Sequence, residues 1–281
     1  MCADDELAVR NSSSIVIRGA SKLLLQFGET APMRNFLLLR AVHGGLAFAA
    51  VLLTMPLAGC SDGVPLHPVQ GVVVWSDGEP VRAMVCDVAD SRAVAKLVDR
   101  CVSDFGRIDT LVNSAGVNQR KPAAEVTEEE YDFVVGVNLK GSVLLCQAVG
   151  KQMIRQGKGS QINIGSLTTH RPLKNLLPYA VSKAGVGQLT RLLALEWGPK
   201  GVRVNGIAPG FILTDLSRKL WSDERMKSWV DSNTPQGRLG QPEDMIGTAV
   251  FLASEASAFM TGQMLYVDGG FESGWSWPIP S

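Results

Sequence analysis

The 281-residue chain has no surplus of charge, since Lys+Arg and Asp+Glu both number 27. That balance excludes the basic footprint of a nucleic-acid binder and the polybasic patch of a membrane-surface protein. Cysteine is sparse and odd in number: Cys2, Cys60, Cys86, Cys101 and Cys146 show no C-x-x-C spacing. Such usage argues against a disulfide framework and for reduced thiols in the cytoplasm. His43, His67 and His170 form no ligand cluster, so no metal site is expected. The apolar stretch at 46–57 falls short of the about 20 residues that a bilayer span needs. What the chain does have is 29 glycines and a hydrophobic content of 46%. Those values suit a buried parallel sheet with many tight strand-to-helix turns, in one large α/β domain or a domain plus an extension.

The stretch at 159–185 reads GSQINIGSLTTHRPLKNLLPYAVSKAG. A strand-like run at 161–164 leads to Ser166, and Tyr179 is followed four residues later by Lys183. Residues at i and i+4 share one helix face, one turn apart. An ammonium beside a phenol favours the phenolate, so this spacing predicts a Tyr179 pKa below the usual ~10. Such a phenol exchanges a proton with an alcohol or carbonyl. Ser166, at the mouth of the strand, is placed to hold the same oxygen. This chemistry interconverts alcohols and ketones and needs a hydride carrier.

From about residue 82 onward further signposts appear in order: CDVAD at 86–90, LVNSAG at 111–116, VNLKG at 137–141, INIGS at 162–166, YAVSK at 179–183, RVNGIAPGFILTD at 203–215 and YVDGG at 266–270. Together they resemble the short-chain dehydrogenase/reductase family. The resemblance implies an α/β, Rossmann-like doubly wound parallel sheet and a requirement for NAD or NADP. It makes Asn138, Ser166, Tyr179 and Lys183 the catalytic set, with Asn138 relaying protons through water toward the lysine. Asp87 and Val88 would face the adenine, Asn113, Ala115 and Gly116 would let the cofactor lie against backbone, and Lys183 would grip the nicotinamide ribose beside Tyr179. Pro209 and Gly210 form a turn at a strand's carboxyl end, where open α/β sheets bind ligands. The Ile212 backbone and the Thr214 hydroxyl would hold the carboxamide. Ser114 departs from the family's usual N-N-A-G. By resemblance, residues 216–235 form a mobile lid, and the C-terminal edge helps to build a homo-oligomer, a dimer or tetramer.

The first 81 residues read differently. Ile15-Val16-Ile17 before Arg18-Gly19 is consistent with a strand entering a phosphate loop, but Leu23 and Leu25 stand where the second and third glycines belong. Backbone must approach the pyrophosphate closely there, and a leucine Cβ obstructs it. Gly44-Gly45 likewise lacks a third glycine. The segment 33–60 has a basic start, an apolar core and Leu57-Ala58-Gly59-Cys60, and resembles a bacterial lipoprotein signal; a buried helix is the other reading. A membrane partner is expected only if the Cys60 lipobox is used. Residues 61–81 read as a hairpin with a strand at 71–75 and Asp77-Gly78 at the turn; Asp77 as a ribose-binding acid is the alternative. The chain thus divides into an atypical segment, 1–81, and a dehydrogenase-like domain, 82–281, with the first β-α-β unit incomplete or replaced.

Further along, Asp90 or Ser91 predicts a helix start, Gly106 its stop, and Thr127 with Glu130 a capping box. Strands are expected at 81–85, 108–112, 202–207 and 263–267, and a helix at 242–254. The expected activity is interconversion of a secondary alcohol and a ketone as small-molecule substrates. LTTHRP and the GWSWP tail resemble the sugar-acid and polyol oxidoreductases of the gluconate 5-dehydrogenase type, with 3-oxoacyl thioester reductases close behind. The alternative is a fused or impaired relative that lacks the phosphate loop and acts as a non-enzymatic interaction module.

Overall fold

The computed structural model describes residues 15–17, 36–38, 51–53, 84 and 86–274. Three short strands come first: β1 (Ile15–Ile17), β2 (Phe36–Leu38) and β3 (Val51–Leu53). Then follow α1 (Ser91–Phe105), β4 (Thr110–Asn113), α2 (Glu128–Val135), α3 (Gly141–Gln156), β5 (Gly159–Ile164) and α4 (Leu177–Trp197). The remainder is β6 (Val202–Pro209), α5 (Asp215–Trp221), α6 (Glu224–Asn233), α7 (Ile246–Ala253) and β7 (Met264–Val267). Strands β4, β5, β6 and β7 are parallel neighbours in that order, and β1 flanks β4.

The alternation of strand and helix produces this sheet because each parallel crossover needs a helix to return the chain. Local signals set the helix ends. Asp90 caps α1 by accepting from the Arg92 N–H, and Gly106 ends it at φ 75°. Thr127 and Glu130 form the capping box that opens α2. Both faces of the sheet are covered. Alternate residues of β5 go to opposite sides: Ile162 packs with Val112, Ile207 and Leu252, while the buried Gln161 and Asn163 face the α3–α4 side. On that side Val94, Leu97, Val98 and Cys101 form one stripe of α1, against Leu145, Val149 and Met153 of α3. Each such aliphatic side chain contributes about 1.5–3 kcal/mol when fully buried. Helices α3 and α4 approach so closely that a Cβ on Gly150 would lie 2.4 Å from the Trp197 ring.

The strand expected at 15–17 is present, but it runs antiparallel to β4, with Ile15 opposite Val112 and Ile17 opposite Thr110. The chain therefore leaves β1 at the amino end of β4, the end away from Asn113. That direction agrees with the reading that 15–25 is not a phosphate loop; Gly19, Leu23 and Leu25 themselves lie outside the described residues. Within the apolar stretch, Val51–Leu53 pairs antiparallel with Phe36–Leu38, so it is strand rather than helix. The lipobox at 57–60, the hairpin at 61–81 with Asp77, and the tail beyond residue 274 lie outside the described residues. Of the strand expected at 81–85, Met84 alone is described, and it is not in a strand. The helix expected at 242–254 is instead a 3-10 turn, Pro242–Met245, followed by α7.

Candidate active site

Four elements bring the predicted residues together. Ser166 follows β5 and opens a 3-10 turn, Leu167–Thr169, where its Oγ accepts from the Thr168 N–H at 3.2 Å. Tyr179 and Lys183 stand on the first turns of α4, where Pro178 fits because the first N–H groups of a helix need no partner within it. Asn138 lies between α2 and α3 in a π-helical turn, Gly136–Lys140, in which the Gly141 N–H reaches back to the Gly136 carbonyl. π-turns are rare and concentrate at functional sites.

Lys183 and Asn138 are both buried. Lys183 Nζ donates to the Ile164 carbonyl at 2.7 Å. Asn138 Oδ1 accepts from the Val117 N–H at 2.7 Å, and its Nδ2 donates to the Val117 carbonyl at 2.9 Å and to Ser182 Oγ at 3.1 Å. Ser182 Oγ in turn donates to the Tyr179 carbonyl at 2.7 Å. Asn138 thus fixes the segment after β4 against the helix that carries Tyr179. It does not line the cleft itself.

The electrostatics differ from the pattern expected of an isolated Tyr–Lys pair. Burial pushes the Tyr179 phenol up, while a hydrogen bond from Ser166 and the charge of Arg120 work the other way. Burial lowers Lys183 to about 8. The Lys183 ammonium lies 5.8 Å from the Tyr179 ring centre, with its hydrogen bond spent on Ile164. The net shift is upward, which corrects the expectation of a Tyr179 pKa below its usual value; Ser166 and Arg120 oppose the effect of burial only in part, and Lys183 does not contribute.

Ser166, Tyr179 and Lys183 line one cavity of about 710 Å³, with Ala115, Gly116, Pro209, Gly210, Ile212 and Thr214. Its other walls include Arg120, Lys174 and residues of helices α5 and α6. These residues fit the nicotinamide end of a dinucleotide. Gly116 lies against both Lys183 and Asn138: a Cβ on it would come 3.6 Å from Lys183 Nζ and 3.5 Å from Asn138 Oδ1. The Thr214 hydroxyl, expected at the carboxamide, caps α5 by accepting from the Ser217 N–H. The Ile212 carbonyl is taken by Ser217 Oγ and Trp221 Nε1, which tie α5 to the segment after β6.

Three predicted cofactor residues are not on the cavity wall. Asn113 is buried in a polar network: its Nδ2 donates to Asn163 Oδ1 at 3.2 Å, and Asn163 Nδ2 donates to Thr190 Oγ1 at 3.0 Å. Val88 is buried beneath Gly141, where an added Cβ would meet it at 2.6 Å. Asp87 is exposed and accepts from the Ala89 N–H at 2.9 Å, closing its own turn. Among the described residues no glycine-rich phosphate loop borders the cavity.

The sequence reading missed Arg120, Lys174 and Glu272. Glu272 Oε2 lies 3.1 Å from His170 Nδ1, and its Oε1 lies 3.6 Å from the Arg171 guanidinium, pinning the segment after Ser166 to the turn at Phe271–Ser273. Nothing in the pattern links residues 102 positions apart.

Comparison with known proteins settles the family. Residues 72–272 match the family described as enoyl-(acyl carrier protein) reductase. The chain belongs to the short-chain dehydrogenase/reductase family. It is 42% identical over 190 residues to the D-threitol dehydrogenase of Mycolicibacterium smegmatis, covering 68% of this chain and 73% of that one. It is 38% identical over 195 residues to the gluconate 5-dehydrogenase of Gluconobacter oxydans, covering 69% and 76%. Among solved structures, a gluconate 5-dehydrogenase from Burkholderia cenocepacia, in complex with NADP and tartrate, superimposes with a TM-score of 0.66 at 39% identity, covering 68% and 74%. This short-chain dehydrogenase/reductase is an NAD(P)-dependent oxidoreductase that interconverts alcohols and ketones.

Proposed function

We propose that the chain acts on a small sugar acid or polyol, with Tyr179 as the acid/base. The observation that carries this reading is the pair of cations on the cavity wall, Arg120 and Lys174, in the same enclosure as Ser166 and Tyr179. A guanidinium binds a carboxylate through paired hydrogen bonds, and Arg120 lies close enough to the phenol to lower its pKa. The names of the relatives support the same class.

When bound, the nicotinamide ring supplies or accepts the hydride. The chain does the rest. Ser166 Oγ holds the substrate oxygen. Tyr179 gives its phenolic proton to a carbonyl oxygen in reduction and takes the hydroxyl proton in oxidation. Lys183 holds an exchangeable proton near neutral pH, since burial has brought it to about 8. Asn138 positions Val117 and the start of α4. Ala115, Gly116, Pro209, Gly210 and the Ile212 backbone would hold the nicotinamide, and Asp87 would serve the adenine end.

The division at residues 81 and 82 belongs to the proposal, supported by the ordered family motifs that begin with CDVAD at 86–90. So does a cytoplasmic address, supported by the free, buried Cys86, Cys101 and Cys146. So does a homo-oligomer, supported by Leu192 and Leu195 exposed on α4. The test is turnover of 5-ketogluconate and oxidation of threitol with NADH, NADPH and their oxidised forms. Turnover abolished by Tyr179→Phe supports the assignment; no turnover of either substrate, in a folded chain that binds cofactor, removes the sugar class.

A further inference from the structure

One half of the cavity is not built for hydroxyl groups. The loop before α4 contributes Leu173 and Leu176, α5 contributes Leu220 and Trp221, and α6 contributes Met226 and Trp229. Helix α6 is amphipathic here: its Glu224, Arg225, Lys227 and Ser228 are exposed, while Met226 and Trp229 border the cavity. Trp229 is 40% exposed and borders the cavity. Its ring meets Phe211 edge-on at 5.7 Å and Phe271 at 6.0 Å, which fixes its orientation while leaving apolar surface uncovered. Trp221 packs edge-on against the same Phe211 and is anchored through its Nε1 to the Ile212 carbonyl. A polyol placed here would set hydroxyls against hydrocarbon and lose their water partners. An alkyl or alicyclic group would gain by covering the same surface.

We infer that this cleft also takes secondary alcohols and ketones carrying an apolar substituent of several carbons on the carbinol or carbonyl carbon. The inference rests on the oxidoreductase reading of Ser166 and Tyr179. In oxidation the carbinol C–H bond breaks and its hydride passes to the oxidised nicotinamide. The O–H proton passes to Tyr179 and on to solvent, and the C=O bond forms. The oxygen lies at Ser166 and Tyr179, and the apolar substituent lies against α5 and α6.

The experiment is a homologous series, 2-butanone to 2-octanone, titrated into the full chain with tryptophan fluorescence as the binding readout. Turnover of the matching 2-alkanols is followed alongside. Full burial of each added methylene, at about 0.8 kcal/mol, strengthens binding about fourfold. A progressive rise of about two- to fourfold per methylene, flattened in Trp229→Gln, is the expected result. Affinity independent of chain length, together with turnover of a sugar acid, would overturn the inference and leave the oxidoreductase reading standing. Length-dependent binding without turnover of any alcohol, with either cofactor, would keep the apolar recognition and sink the oxidoreductase reading.

Discussion

Replacing Lys183 by methionine isolates the cost of burying an ammonium in the site. The side chain is buried, and its pKa falls from 10.5 to about 8 through desolvation. Below about pH 8 the lysine is charged in both the folded and unfolded states, and the full penalty stands. Between about 8 and 10.5 the unfolded chain keeps the proton and the folded one releases it, so stability rises with pH. At about 1.4 kcal/mol per pH unit, the native protein should gain about 2 kcal/mol on Lys183→Met between about pH 8 and pH 9.5. That corresponds to a relative melting-temperature shift of about 4–8 °C for a domain of this size. The thiols titrate in this range only in the unfolded chain, since burial pushes them up in the folded one, and that contribution is common to both proteins and cancels in the difference. The assay is thermal unfolding of both proteins in matched buffers across this range. A gap that does not change with pH would refute the reasoning, since Lys183 would then keep its ordinary pKa despite burial.

Arg120→Gln should raise the Tyr179 pKa and move the rising limb of alcohol oxidation, where the phenol loses its proton, to higher pH, because Arg120 is one of the two groups that lower it; an unmoved profile would separate Arg120 from the phenol. Asn138→Ala leaves the Val117 N–H and carbonyl without their partner and should cost about 2–4 kcal/mol in a denaturant melt. Gly150→Ala drives a methyl group into the Trp197 ring and should destabilise by about 1–3 kcal/mol in the same melt. Cys86, Cys101 and Cys146, with thiols pushed up to about 11, about 11 and about 12, should resist alkylation in the native state at mildly alkaline pH and all react in denaturant, as peptide mapping would show.

The family and its chemistry were legible because they depend on short-range order. Tyr179 and Lys183 are one turn apart, and Ser166 follows its strand directly, so pattern alone brings them to one place. Asp90, Gly106, Thr127 and Glu130 announce helix ends through backbone needs that local residues satisfy. Asn138 was legible only by resemblance, since a π-turn leaves no periodic signature. Asn113 was misplaced because alternation along β4 sends its side chain to the Asn163 network, while the cavity is reached one residue later, at Ser114. Arg120, Lys174 and Glu272 were missed because loop conformation, rather than spacing, places them. The direction of β1 was equally hidden. Three apolar residues specify a strand but not which way it runs beside its neighbour.

The turn at Gly136–Lys140 holds one residue more than an α-helix would accommodate over the same length. Deleting one of the residues beside Asn138 would turn the Gly141-to-Gly136 bond into an ordinary helical one and let α2 and α3 close into a single regular helix, with the flanking halves kept in phase. The shortened helix would be more regular, and the carboxamide would leave Val117. Chain length at this one point is therefore a switch between a better helix and a working site, and a one-residue gap here should be read as a change of function.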